Sequence, residues 1–202
     1  MFIIGITGGT GAGKTVALQT LCSLGALALN CDAIYHELLA GCEAMKSEID
    51  SRFAGVLING LIDRGLLGKL VFCNPSALLD LNAITHKYIS AETWRRLAEW
   101  ERQGGAVAAV DAIALIESGE GSKCDVVVGI VAPKDIRITR IIERDGITRE
   151  QAARRINAQK PDSFFKENCQ YLLENVYNTA EEFEEKCRVF FKELIGGRTN
   201  AG

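Results

Sequence analysis

Apolar residues come in two rhythms along this chain. Four short runs, at residues 2–7, 27–30, 106–110 and 125–131, are continuous rather than alternating. That pattern predicts parallel strands covered on both faces. The other rhythm is helical. Val16, Thr20, Leu21 and Leu24 recur at helical spacing until Gly25 supplies a stop. Asn74-Pro75 is a start signal for a long helix with Leu78, Leu81, Thr85 and Tyr88 on one stripe. Thr148 and Gln151 have the spacing of a capping box ahead of Arg154 and Arg155. In a closing helix, Ala180, Phe183, Cys187, Phe190, Phe191 and Leu194 form an apolar stripe, while Glu181, Glu182, Glu184 and Glu185 face water. Residues 171–173 are a candidate extra strand, and residues 196–202 read as a flexible tail.

Between the second and third runs lie about 75 residues, mostly of helical pattern. A crossover needs only about a dozen, so this stretch is predicted to be a helical subdomain inserted into the core. The expected division is a core of residues 1–40 and 105–195, with a lid at about 137–162 inside it, and an insert at 41–104.

Composition narrows the picture without redirecting it. With 202 residues, 48% hydrophobic and 24% charged, the chain can bury a substantial interior. A net charge of -3 and the lack of a basic tail argue against a nucleic-acid surface. Residues 134–160 nevertheless hold eight Lys/Arg against four Asp/Glu, a local excess of four positive charges. Seven cysteines without close pairs read as small buried hydrophobes in a reducing compartment rather than as a metal site. Neither an export signal nor a membrane-spanning run is expected, which makes the cytoplasm the default location.

The candidate chemistry begins at Gly8-Gly9-Thr10-Gly11-Ala12-Gly13-Lys14-Thr15. All fixed positions of the phosphate-loop pattern are filled, with a strand before it and a helix after. The glycines let backbone N–H groups turn around phosphates, and the helix start adds its positive end. Gly9, Thr10, Gly11, Ala12, Gly13, Lys14, Thr15 and Val16 are therefore the expected nucleotide contacts, with Lys14 reaching the β and γ phosphates and Thr15 binding magnesium. A glycine-rich turn of structural use alone would need neither the lysine nor the hydroxyl.

Two aspartates follow apolar strands. Asp111 suits the magnesium shell or, alternatively, caps a helix. Asp32, at the carboxyl edge expected for ligands, suits a base that orients a substrate hydroxyl; helix capping is again the alternative. The second strand, running parallel to the first, is expected to bring its end near the end of the first. Arg140 and Arg144, one helical turn apart, suit the charge of a transferring phosphoryl group, and a solvated helix surface would explain some of this cluster equally well.

Taken together these residues resemble the dephospho-coenzyme A kinase family. Thr7 to Thr15 resemble its opening motif, with Ala12 in place of a serine, and Asp32 in Asn30-Cys31-Asp32 falls on the aspartate regarded as catalytic. Ile62-Asp63-Arg64, Leu70-Val71-Phe72, His86, the stretch from Asp111 with Leu115 and Glu117, the run from Arg140 to Gly146, and Arg155 with Gln159 resemble further family elements. The resemblance implies a three-layer α/β phosphate-loop NTPase fold with a parallel central sheet, a helical insert and a short lid. It also implies transfer of the γ-phosphoryl of ATP, with magnesium, to the ribose 3′-hydroxyl of dephospho-coenzyme A. Asp32, Lys14 and Arg140 would be catalytic, Arg144 would help hold the nucleotide, and Asp32, His36, Arg64, His86, Asp111 and Ala112 would meet the acceptor. His86 reads equally as a residue packed at a subdomain joint.

Asn30, His36, Lys87, Ile113 and Ile116 depart from the family pattern. A histidine at position 36 carries less charge at pH 7 than the usual arginine. Alternative readings are a related kinase for a nucleoside or other small alcohol, or a nucleotide-binding protein without catalysis. A small-molecule partner and a monomer or weak homo-oligomer are expected.

Overall fold

The computed structural model describes residues 1–72, 74–112 and 114–199, with residues 198 and 199 described by backbone alone. Ile113 and Cys73 lie outside the described residues. The chain divides into two compact units, one of Met1–Leu29 with Trp100–Gly202 and one of Asn30–Glu99.

The first unit is built on a five-stranded sheet. Its strands are β1 (Phe2–Gly8), β2 (Leu27–Asn30), β5 (Val107–Asp111), β6 (Val126–Val131) and β7 (Tyr171–Glu174), in the order β2-β5-β1-β6-β7. β1 pairs in parallel with β5 and β6, and β6 with β7. Three of the four continuous runs form the covered strands that their pattern predicts, all of β5 and β6 being buried, whereas β2, at the edge of the sheet, buries only Leu29. β5 lies between β2 and β1; a pattern of runs carries no information about pairing order.

Helices α1 (Lys14–Ser23) and α9 (Ala180–Thr199) cover one face, where Leu21, Phe183, Cys187 and Phe191 close over Ile4, Val128 and Ile130. α9 continues through Gly196 and Gly197, where sequence suggested a tail. α6 (Lys134–Asp145), α7 (Arg149–Asn157) and α8 (Asp162–Asn168) follow β6. The capping box of α7 forms as expected, Thr148 and Gln151 each bonding the other's backbone N–H. Among the described cysteines only Cys187 is fully buried, its thiol pushed up to about 12 mainly by burial; Cys22 is exposed.

The second unit has its own core of Leu39, Met45, Ile49, Phe53, Val56, Ile62, Leu67, Ala77 and Leu81. It comprises α2 (Cys31–Gly41), α3 (Glu43–Arg52), a hairpin of β3 (Leu57–Ile58) and β4 (Leu61–Ile62), α4 (Arg64–Phe72) and most of α5 (Pro75–Arg102). The hairpin turns on Asn59 and Gly60, at φ 52 and 79, the conformation that Asn-Gly favours between short strands. Its turn is tied down by buried Lys46, which donates to the Gly60 carbonyl at 2.8 Å.

Two expectations shift here. The unit starts at Asn30, ahead of α2, so Asp32 belongs to it rather than to the core. On α5 the buried stripe is Ala77, Leu81, Thr85, Thr93 and Leu97, whereas Leu78 is 44% exposed. No described helix is long and apolar enough to cross a membrane.

Candidate active site

β1 ends in Gly8, and α1 begins at Lys14 with Gly13 as its N-cap, so the intervening loop stands at the carboxyl edge of the sheet. Amides of the first helical turn lack intrahelical acceptors and point out of the helix toward it. Two glycines are obligatory for different contacts. At Gly8 (φ 140) a Cβ would lie 2.1 Å from the Ile130 carbonyl oxygen, and at Gly13 (φ 112) it would meet Asn175 Nδ2 at 2.4 Å. The Lys14 ammonium donates to the Gly8 carbonyl at 2.9 Å, folded back across the loop. Thr15 is exposed in the same turn.

The outer side of the loop is clamped. Arg137 donates to the Thr10 carbonyl at 2.8 Å and to Gln159 Oε1 at 2.7 Å. Gln159 accepts from the Thr10 amide and donates to its hydroxyl, both at 2.9 Å. Thr10 is thus held by protein at its backbone N–H, carbonyl and side chain. Arg140 donates to the carbonyls of Gly11 and Tyr177 and to Asn175 Oδ1, while Asn175 Nδ2 donates to the Ala12 carbonyl at 2.9 Å. Burial pulls both guanidinium groups, Arg137 and Arg140, below the usual arginine range.

Arg144 does not join them. Its guanidinium bonds both carboxylate oxygens of Asp145, which also receives Arg155, and the hydrogen bond to Asp145 raises its pKa. The residues of α6 that reach the loop are Arg137 and Arg140, three apart, because they share the helix's inner side with buried Ile138 and Ile141.

Asp111 closes β5 beside Ile6 of β1 and is 7% exposed. Its Oδ1 is buried and takes no hydrogen bond among the described residues, and Ala112 follows it, half-buried. A carboxylate at this edge and an exposed Thr15 hydroxyl fit a magnesium ion completed by phosphate oxygens and water, since that ion is commonly held by few protein groups. A cavity of about 350 Å³ adjoins Gly8 and Gly9 and is lined also by Glu117, Gln159 and Lys160.

In the Asn30–Glu99 unit, the N-cap of α2 is Asn30, whose Oδ1 accepts the Ala33 amide at 2.8 Å. The capping alternative for Asp32 is thereby removed: it sits exposed in the first helical turn, with His36, also exposed, one turn on. Arg64, exposed at the start of α4, lies close enough to Tyr35 to oppose the rise that burial causes in the tyrosine's pKa. His86 is exposed, not packed, whereas its neighbours Lys87 and Tyr88 both donate to Glu48.

Sequence reasoning missed Asn175 and gave Arg137 no role. Asn175 could have been found, since it immediately follows β7 as a polar residue ending an apolar strand. Arg137 could not, as only the packing separates it from the other arginines of the cluster.

The model of the dephospho-CoA kinase (CoaE) family matches residues 2–181. A dephospho-CoA kinase from Corynebacterium jeikeium is 37% identical over 160 residues, 79% of this chain and 82% of the relative. One from Geobacter sulfurreducens is 35% identical over 188 residues, covering 92% and 95%. Among solved structures, the dephospho-CoA kinase from Campylobacter jejuni superposes with a TM-score of 0.71 at 26% identity, over 97% of this chain and 98% of that one.

Proposed function

Because the chain belongs to the dephospho-CoA kinase family, we propose that it transfers the γ-phosphoryl group of ATP to the ribose 3′-hydroxyl of dephospho-coenzyme A, giving coenzyme A and ADP. The observation that carries this reading is the division of labour between a fully built phosphate loop and an exposed aspartate that is not used as a helix cap.

In the reaction the Asp32 carboxylate accepts the hydrogen bond of the 3′-hydroxyl, aims its oxygen at the γ-phosphorus and takes its proton as the O–P bond forms. The bond from the γ-phosphorus to the bridging oxygen breaks, and its electrons leave with ADP. Lys14 and Arg140 balance the charge on the transferring and departing groups. Magnesium, when bound, neutralises charge on the β and γ oxygens; the Thr15 hydroxyl and the Asp111 carboxylate are the groups that would hold it. Arg64, His36 and His86 offer cationic or hydrogen-bonding contacts to the phosphate-rich acceptor. None of the six described cysteines is in a disulfide, in keeping with a cytoplasmic enzyme that acts on a small molecule as a monomer or weak homo-oligomer.

Asp32→Asn keeps the shape and removes the base. Phosphoryl transfer should fall by roughly 10²–10⁴-fold, while ATP affinity stays within about twofold. Equal loss of both, or loss of neither, would count against the assignment. Turnover of a nucleoside or other alcohol in preference to dephospho-coenzyme A would replace the acceptor.

A further inference from the structure

Arg137 is the most buried charge beside the phosphate loop, at 4% exposed. Its guanidinium presses on the loop backbone so closely that a Cβ on Gly9 would lie 2.2 Å from Nη2. Both of its hydrogen-bond acceptors described above, the Thr10 carbonyl and the Gln159 amide oxygen, are neutral. Neutral donors would serve those acceptors equally well, so the clamp itself does not require a charge. Asp162 is the carboxylate that pairs with it, at 3.7 Å and with a half-exposed side chain, which neutralises the guanidinium incompletely. The arginine stays protonated even when buried.

We propose that Arg137 is a positioning and electrostatic residue whose fixed positive charge, set behind the loop, raises affinity for a nucleoside triphosphate over the diphosphate. The idea rests on the reading of the loop as the ATP site. A charge held in poorly screened surroundings acts through the loop backbone on whatever anion the loop's inner side holds. The triphosphate carries more negative charge than the diphosphate and gains more from it. Asp162 opposes this field, so removing it should act in the opposite direction from removing Arg137.

The test is titration calorimetry of the full chain with magnesium ATP and magnesium ADP. Arg137→Gln should weaken ATP binding by about fivefold more than ADP binding. Arg137→Lys, which keeps the charge and loses the fork, should preserve most of the ATP-to-ADP ratio. Asp162→Asn should tighten ATP by about twofold relative to ADP and leave the melting temperature nearly unchanged. Because Asp162 is half-exposed, this variant decides the matter even if the arginine variants fold poorly. Equal weakening of both nucleotides by Arg137→Gln, with no recovery in Arg137→Lys, would reduce Arg137 to a structural peg, as would an unaltered ratio in Asp162→Asn. If the unmodified protein binds neither nucleotide, the reading of the loop fails first and this inference with it.

Discussion

In the unit that carries the phosphate loop, the candidate groups are gripped by other protein groups: Lys14 by Gly8, Thr10 by Arg137 and Gln159, Arg140 by Asn175 and Tyr177. In the Asn30–Glu99 unit the corresponding groups, Asp32, His36, Arg64 and His86, are all exposed. The loop glycines Gly8 and Gly13 fit against backbone and side chains with no room for a methyl group, whereas Gly41 and Gly60 of the other unit, like Gly25 and Gly146 away from the loop, have open space around them. On the proposed reading, the donor half of the reaction is thus preorganised by the fold, as suits stabilisation of charge that must be in place before transfer, and the acceptor half presents side chains that a substrate would order on binding.

The largest break in this contrast should come from the glycines. Gly8→Ala forces a Cβ against the Ile130 carbonyl in a conformation that alanine avoids, and should cost roughly 2–4 kcal/mol, seen as a fall in denaturant midpoint and loss of nucleotide binding. Gly41→Ala, in the last turn of α2 with nothing near its Cβ, should instead be neutral or stabilise by up to about 1 kcal/mol. Next comes Asn175→Ala, which strips buried partners from Ala12 and Arg140. A loss of about 1–3 kcal/mol is expected, with ATP affinity reduced and the KM for the acceptor little changed. An effect confined to the acceptor would contradict the division of roles.

His36→Arg sharpens the other side. Restoring a permanent cation one turn from Asp32 should lower the acceptor KM by about threefold without altering ATP affinity. The smallest effect concerns pH. Glu92, bonded to Arg95 and Arg96 on α5, has its carboxyl lowered from 4.5 to about 2, chiefly by the Arg95 hydrogen bond. A depressed carboxylate pKa contributes stability that is fully present above about 4.5 and is lost as the pH falls toward 2. Glu92→Gln should flatten that acid limb by less than about 1 kcal/mol, measured as urea midpoints at pH 6 and pH 3.

The hairpin at Asn59-Gly60 shows that some unread structure was still legible, because that dipeptide is a local signal. The stripe on α5 shows a harder limit. Leu78 lies within the expected apolar spacing but is largely exposed, since which side of a long helix is covered depends on what packs there.

By itself, the sequence determined what local rules can carry: the buried strands, the phosphate loop with its obligatory glycines, the capping box of α7 and the aspartates at the carboxyl ends of β2 and β5. Each depends on neighbours in the chain, so residue type and spacing suffice. Only the tertiary structure decided that β5 separates β2 from β1, that Arg137 rather than Arg144 joins Arg140 at the loop, and that Asn175 closes it from the far end of β7. Those outcomes bring together residues more than a hundred positions apart, and the competition among similar arginines is settled by burial and partner geometry, which chain order does not encode.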